Sequence, residues 1–132
     1  IVDFASGASA TITTSFDVWS HTLPRIEIYG TEGSLRCPDP NTFGGPVLLK
    51  RGRAESWSEI PLAKDYPENS RGLGVADLAR AVAAGTPHRA SGELCSHVLE
   101  LMHGFHDASA SGTYYHVKSA CARPEALQPA AL

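Results

Sequence analysis

Cysteine is scarce in this chain of 132 residues, and its three copies, Cys37, Cys95 and Cys121, are widely spaced. An odd number at such spacings argues against a disulfide framework or a metal knuckle and favours reduced thiols, which predicts a cytoplasmic protein. Charge is also sparse, at 19% of residues, with a net charge of -3 and one short basic cluster over residues 50–53. A nucleic-acid groove needs many more cations than that, so we expect no nucleic-acid partner.

Long apolar runs are absent as well. No stretch approaches the roughly 18 apolar residues of a membrane span, and no charged-then-apolar signal segment opens the chain. The sequence therefore predicts a soluble protein with no membrane partner. A mass of 14.0 kDa and 42% hydrophobic residues suit one globular domain whose core needs neither metal nor disulfide.

Catalytic signatures are missing too. No Gly-x-Ser-x-Gly elbow, no cysteine-nucleophile signature and no His-Glu-x-x-His pattern occurs, so the sequence predicts no catalytic residue. His97, Glu100, His103 and Asp107 share one helix face at a spacing that suits metal ligands. Any solvated helix face has the same spacing, and we predict no metal site there.

Residues 72–77, Gly-Leu-Gly-Val-Ala-Asp, begin like a dinucleotide-binding fingerprint. Asp77 stands at the third glycine position, where its charge would repel phosphate, and no buried strand precedes the segment. The sequence therefore predicts no cofactor-binding residue in this chain.

Strand-like alternation fills the first half of the chain. Residues 9–19 alternate apolar with polar side chains, and Gly7 and Ala8 would turn this strand back on residues 2–5 as a hairpin. Turn chemistry at residues 31–33 and a Pro/Gly/Asn loop over 38–46 indicate an antiparallel meander. Further strands are predicted over residues 25–29, 34–37, 47–50, 55–62 and 114–118.

Two helices are predicted in the second half. One starts at a cap on Asn69 or Ser70 and ends at Gly85, and the other starts at Ser91 or Gly92 and ends at Gly112. Apolar positions recur at helical spacing in both. Those of the second helix are Leu94, Val98, Leu101, Phe105 and Ala108.

Strands first and helices second predict an α+β fold, with an open, mostly antiparallel sheet and two main helices packed on one face. We expect one domain over residues 1–122 and a loose tail over residues 123–132. The other face of the sheet would be polar and open to a second subunit. Its predicted residues are Ser9, Thr11, Thr13 and Ser15.

Aromatic, polar and guanidinium side chains gather in two predicted loops, one between two strands and one before the first helix. Flat aromatic faces stack on sugar rings and guanidinium groups hold carboxylates, so these loops suit a polyhydroxylated or anionic small molecule. The alternative is plain packing, with Trp19 and Trp57 over the core edge and Arg71 paired with Glu68 or Asp65. The predicted substrate-binding residues are Trp19, His21, Tyr66, Asn69 and Arg71.

Residues 26–35, Ile-Glu-Ile-Tyr-Gly-Thr-Glu-Gly-Ser-Leu, combine a strand, a Gly-Thr-x-Gly turn and a second strand. Residues 77–87 combine a helix with a Gly-x-Pro ending, and Ser-Gly-Glu over 91–93, a second helix and the closing residues 111–118 follow. In this order of motifs, nearly the whole chain resembles the C-terminal domain of the Gfo/Idh/MocA family (glucose-fructose oxidoreductase, inositol dehydrogenase and rhizopine catabolism).

The resemblance implies a domain that shapes a substrate pocket and forms dimers or tetramers through its open sheet. It also implies an N-terminal Rossmann domain that binds NAD or NADP, and hydride transfer between that cofactor and a hydroxyl of a sugar or cyclitol. The family's Glu-Lys-Pro motif and catalytic histidine context are not in this sequence, so no catalytic residue carries over and these residues alone should be inactive. Two alternatives stay open: a stand-alone small-molecule-binding or dimerisation module, and a metal-dependent enzyme that uses the His97 face.

Overall fold

The computed structural model describes residues 1–62, 66–68 and 71–127. It has two antiparallel sheets, of two and four strands, and two helices, which confirms the predicted α+β class with an open sheet. The elements are β1 (Val2–Asp3), β2 (Ser9–Ala10), β3 (Ile26–Gly30), β4 (Gly33–Cys37), β5 (Val47–Arg51), β6 (Ser58–Ile60), α1 (Leu73–Ala84) and α2 (Gly92–Ser111).

The first hairpin is confirmed, but its second strand is short. Gly7 has a φ of 88°, and its N–H donates to the carbonyl of Phe4 at the turn between β1 and β2. The predicted strand over residues 9–19 is wrong beyond Ala10, because residues 11–19 pair with no strand in the described ranges. Alternation creates two faces, but a strand also needs a neighbour to complete its backbone hydrogen bonds. There is consequently no polar sheet face made of Ser9, Thr11, Thr13 and Ser15.

The four-stranded sheet is the predicted meander, ordered β3-β4-β5-β6 with each neighbouring pair antiparallel. Thr31 and Glu32 make the two-residue turn between β3 and β4, where Gly30 pairs with Gly33. Gly33 lies so close to Lys50 that a Cβ there would collide with the Lys50 carbonyl oxygen. A glycine at this position therefore lets β5 approach β4 closely enough to pair.

The two faces of this sheet differ in chemistry because side chains alternate along each strand. On the polar face, Glu27 accepts hydrogen bonds from Tyr29 and Arg36, and the Arg36 guanidinium lies 4.8 Å from the ring centroid of Trp57. The polar face thus pairs the charges of Glu27 and Arg36. The opposite face, called the apolar face below, carries Ile26, Ile28, Leu35, Cys37, Val47, Leu49 and Ile60.

Both helices end where the sequence predicts. Gly85 and Gly112 close α1 and α2 in the left-handed conformation. At the start of α2, Ser91 Oγ accepts a hydrogen bond from the Leu94 N–H at 3.2 Å, as an N-cap should. The predicted cap of α1 on residue 69 or 70 lies outside the described residues, and Gly72 directly precedes the helix.

Neither helix packs on the sheet. Within the described ranges, no Cα atom of α1 or α2 lies within 8 Å of a Cα atom of any strand, and the two helices do not approach each other that closely either. The expected packing of both helices on one face of the sheet is therefore not observed. Apolar periodicity identifies which side of an element avoids water, but it does not identify the surface that covers it.

The chain consequently exposes more surface than a compact monomer. Its accessible surface is 11010 Å², whereas a folded monomer of 14.0 kDa exposes about 6,700 Å². Ala81 is the one buried apolar side chain among the residues that the structure describes. The difference is about 4,300 Å², and the irregular segment between β2 and β3, where Phe16 and Trp19 are fully exposed, contributes to it.

Candidate functional site

The predicted substrate-binding residues of the first loop lie on the surface. Trp19 and His21 belong to the irregular segment between β2 and β3, and the Trp19 side chain is fully exposed. Neither residue takes part in a hydrogen bond or ion pair with the described part of the chain. Both side chains are therefore accessible to a ligand, but no hydrogen bond fixes their orientation.

The second predicted group lies beside the loop over residues 38–46. Arg71 donates from Nη2 to Asn41 Oδ1 at 2.9 Å, a partner that sequence reasoning missed. Tyr66 is half-buried with a φ of 69°. Asn69 lies outside the described residues. Within the described ranges, no hydrogen bond joins Arg71 to Trp19 or His21, so contacts do not unite the two groups into one site.

The glycine-rich start of α1 does not fit a dinucleotide. No strand of the described residues leads into it. The carboxylate of Asp77 accepts a hydrogen bond from the Arg89 backbone N–H at 2.9 Å and forms an ion pair with the Arg89 guanidinium. These two partners hold the pKa of Asp77 below its ordinary value, so its negative charge is fixed and would repel a pyrophosphate.

Arg89 also holds the beginning of the segment predicted as a loose tail. Its Nε donates to the carbonyl of Glu125 at 2.8 Å, and Nη2 donates to the carbonyl of Ala126 at 3.4 Å. One guanidinium thus connects α1 to residues 125 and 126.

The segment after α2, residues 113–121, lies along that helix and is called the strap below. The carboxylate of Glu100 accepts hydrogen bonds from the backbone N–H groups of Lys118 and Ser119, both at 2.8 Å, and from the Tyr115 hydroxyl at 3.0 Å. Donation from the Ser119 side chain first, and from these backbone groups next, lowers the pKa of Glu100 to about 2. The predicted strand over residues 114–118 is wrong, because the strap binds a helix carboxylate instead of a neighbouring strand.

His97 and Glu100 belong to the face of α2 that the sequence indicates as solvated, yet both contact the strap. His97 Nδ1 lies 2.8 Å from Ser119 Oγ. Ser119 therefore lies between the His97 ring and the Glu100 carboxylate. His103 and Asp107 are exposed, and among the described residues no three side chains form a set of metal ligands.

The apolar face forms an open groove of about 390 Å³ beside the β3–β4 turn. Ile28, Leu35 and Leu49 line it, together with Glu32 and Arg51. Ile28 is 53% exposed. An apolar centre with charged groups around it is the composition of a protein interface. Sequence reasoning missed this site because it assigned the same alternating residues to a core beneath the helices.

The structure defines an α+β domain in which the apolar face of the four-stranded sheet is partly exposed. Comparison with family models, with curated proteins and with solved structures finds no match to this chain. In the part of the chain that the structure describes, neither helix has the length and apolar character needed to cross a membrane.

Proposed function

We propose that this chain is the substrate-pocket and oligomerisation domain of an NAD(P)-dependent oxidoreductase that acts on a sugar-like or polyol substrate. The oxidoreductase part rests on the resemblance of residues 26–35 and 77–93 to the C-terminal domain of the Gfo/Idh/MocA family. The oligomerisation part rests on one structural observation, the partly exposed apolar face. In this proposal the nicotinamide cofactor binds a Rossmann domain of a longer polypeptide, and the redox step needs that domain.

Exposed apolar side chains on the four-stranded sheet support a partner. Ile26 is 41% exposed and Ile28 is 53% exposed. Obligate homodimers have larger and more apolar interfaces, and the groove around Ile28, Leu35 and Leu49 has that composition. We therefore assign a second copy of this chain as the partner, in the two-fold arrangement that is commonest among homo-oligomers.

The proposed substrate pocket is built from the two loops. Arg71 uses one N–H for Asn41 and has further donors for a hydroxyl or carboxylate. The exposed ring of Trp19 offers a flat face for stacking on a sugar. His21 and Tyr66 belong to the same two loops, and Asn69, which the sequence predicts beside them, completes the proposed set. A stand-alone binding or dimerisation module is the alternative, and it would use the same apolar face without a Rossmann domain.

A charge on the apolar face should separate the copies. We expect Leu35→Glu to convert the oligomer into a monomer, because an unpaired carboxylate in an apolar interface is strongly unfavourable. Ser34→Glu adds the same charge one residue away, on the polar face opposite Lys50, and should leave the oligomer intact. Size-exclusion chromatography with light scattering measures the mass, and circular dichroism checks folding. A monomeric wild type would refute the oligomerisation proposal. Equal masses of the Leu35→Glu and Ser34→Glu variants would also refute it.

The oxidoreductase part is tested in the full-length polypeptide that contains these residues. It should bind NAD or NADP, and Arg71→Ala should raise the KM for a polyol substrate about tenfold, because a hydrogen bond from a charged group contributes roughly 1.5–3 kcal/mol. Arg80→Ala is the control, since Arg80 is exposed on α1 and has no hydrogen bond among the described residues. An unchanged KM and kcat would remove Arg71 from the site, and failure to bind either cofactor would contradict the enzyme assignment.

A further inference from the structure

Two arginines contact the loop over residues 38–46, and their partners on that loop differ in charge. Arg25 Nε lies 3.6 Å from the carboxylate of Asp39. Arg71 Nη2 donates to the side-chain oxygen of Asn41 at 2.9 Å, and an amide carries no charge. Asp39 therefore compensates the charge of Arg25, whereas Asn41 orients the guanidinium of Arg71 and leaves its charge in place.

Among the described residues, no carboxylate lies within ion-pair distance of Arg71. Glu68, one of the two partners that sequence reasoning offers, therefore forms no ion pair with it. Asp65, the other, lies outside the described residues. The Arg71 side chain is exposed, and its hydrogen bond to Asn41 uses one of five N–H donors. A ligand thus meets a cation with further donors.

The amide that orients Arg71 belongs to a turn that is itself held in place. The carboxylate of Asp39 accepts a hydrogen bond from the backbone N–H of Asn41 at 2.8 Å. Gly44 is buried, and a Cβ there would collide with the carbonyl of Pro67, so the loop packs against the segment that precedes Arg71. A guanidinium that is oriented before binding loses less conformational entropy when a ligand arrives.

We propose that the substrate of this site is an anionic polyol, a sugar acid, and that Arg71 binds its carboxylate. This inference rests on the proposed function and names the substrate class of the same site. A neutral polyol can accept hydrogen bonds from Arg71, but only a carboxylate adds the attraction between opposite charges. The planar guanidinium also matches a carboxylate in shape, because two parallel N–H groups reach its two oxygens.

Binding of paired acids and alcohols to the full-length polypeptide tests the substrate class. The probes are six-carbon aldonates and the hexitols of the same configuration, such as gluconate and sorbitol, which differ by a carboxylate in place of a terminal CH₂OH group. Titration calorimetry measures each Kd with and without NAD or NADP. We expect the acid to bind about tenfold more tightly than its alcohol, and Arg71→Gln to abolish this preference, because the charge-assisted hydrogen bond is lost.

Arg25→Gln is the matched control, because Arg25 contacts the same loop but is already paired with Asp39, and this variant should keep the preference for the acid. Equal affinities for acid and alcohol in the wild type would overturn the sugar-acid inference, and so would an undiminished preference in Arg71→Gln. Binding of hexitols without binding of any aldonate would overturn it as well and leave the proposed function standing. Failure to bind either cofactor would contradict the proposed function instead, while the titrations without cofactor still measure the preference.

Discussion

Replacing Glu100 by glutamine is expected to release the strap. The two carboxylate oxygens accept from Tyr115, Lys118 and Ser119, whereas an amide has one oxygen and turns an NH₂ group toward a remaining donor. At least one donor of the strap therefore loses its acceptor. We expect trypsin to cleave after Lys118 about tenfold faster in Glu100→Gln than in the wild type, because cleavage follows the population in which the segment is detached.

Asp107→Asn is the control for the loss of charge in this experiment. Asp107 lies on the same helix and is exposed, and its carboxylate makes no hydrogen bond within the described ranges. Cleavage after Lys118 should therefore keep the wild-type rate in this variant. Equal rates in the wild type and in Glu100→Gln would show that this carboxylate does not hold the strap.

The Glu100 carboxylate also makes the attachment of the strap depend on pH. Because the pKa of Glu100 in the folded protein is about 2, below the ordinary 4.5, the ionised form stabilises the attached strap fully above pH 4.5. This contribution is lost as the pH falls from there through 2. The amide proton resonances of Lys118 and Ser119 should titrate with a midpoint near 2 in the wild type, and they should stay constant over this range in Glu100→Gln.

Gly104→Ala is expected to destabilise the protein even though alanine favours helices. A Cβ at Gly104 would lie 2.8 Å from Cδ1 of Tyr115, so the ring and the strap would have to shift. We expect the free energy of unfolding to fall by about 1–3 kcal/mol, the usual cost of overpacking. Gly74→Ala in α1 is the control: a Cβ there meets nothing within 4 Å, and the change should add about 0.5 kcal/mol through helix propensity.

Urea unfolding at equal protein concentration, followed by circular dichroism, measures both changes. A loss of unfolding free energy in Gly104→Ala together with a gain in Gly74→Ala would identify the contact with Tyr115 as the cause. A gain at Gly104 equal to the gain at Gly74 would contradict the close packing of the strap on α2.

Local chemistry explains which parts of this fold the sequence predicts. The turn at residues 31–33, the cap at Ser91 and the closing glycines at 85 and 112 act within a few residues of the chain, and all are confirmed. Residues 114–118 show the limit of such reasoning. Their alternation suits a strand and a strap equally well, and the outcome depends on the carboxylate of Glu100, which lies elsewhere in the chain.

The candidate site has the same limit. Trp19, His21 and Arg71 are predictable as exposed loop residues, but whether they form one pocket depends on tertiary packing that no short pattern encodes. The alternation of β3, β4 and β5 likewise reveals an apolar face without its partner. The same pattern suits a face beneath the helices of its own chain and a face open to a second copy.

Strand β3 lies at an edge of the four-stranded sheet, with β4 as its one neighbour among the described elements. It has five residues, including Ile26 and Ile28, and neither proline nor lysine to block it, whereas the opposite edge strand β6 has three residues. An unpaired edge strand is a template for strands of other chains. In the proposed dimer, the pairing of two copies competes with aggregation at this edge. Because aggregation is of higher order in chain concentration than pairing, dilution favours the proposed dimer over aggregation.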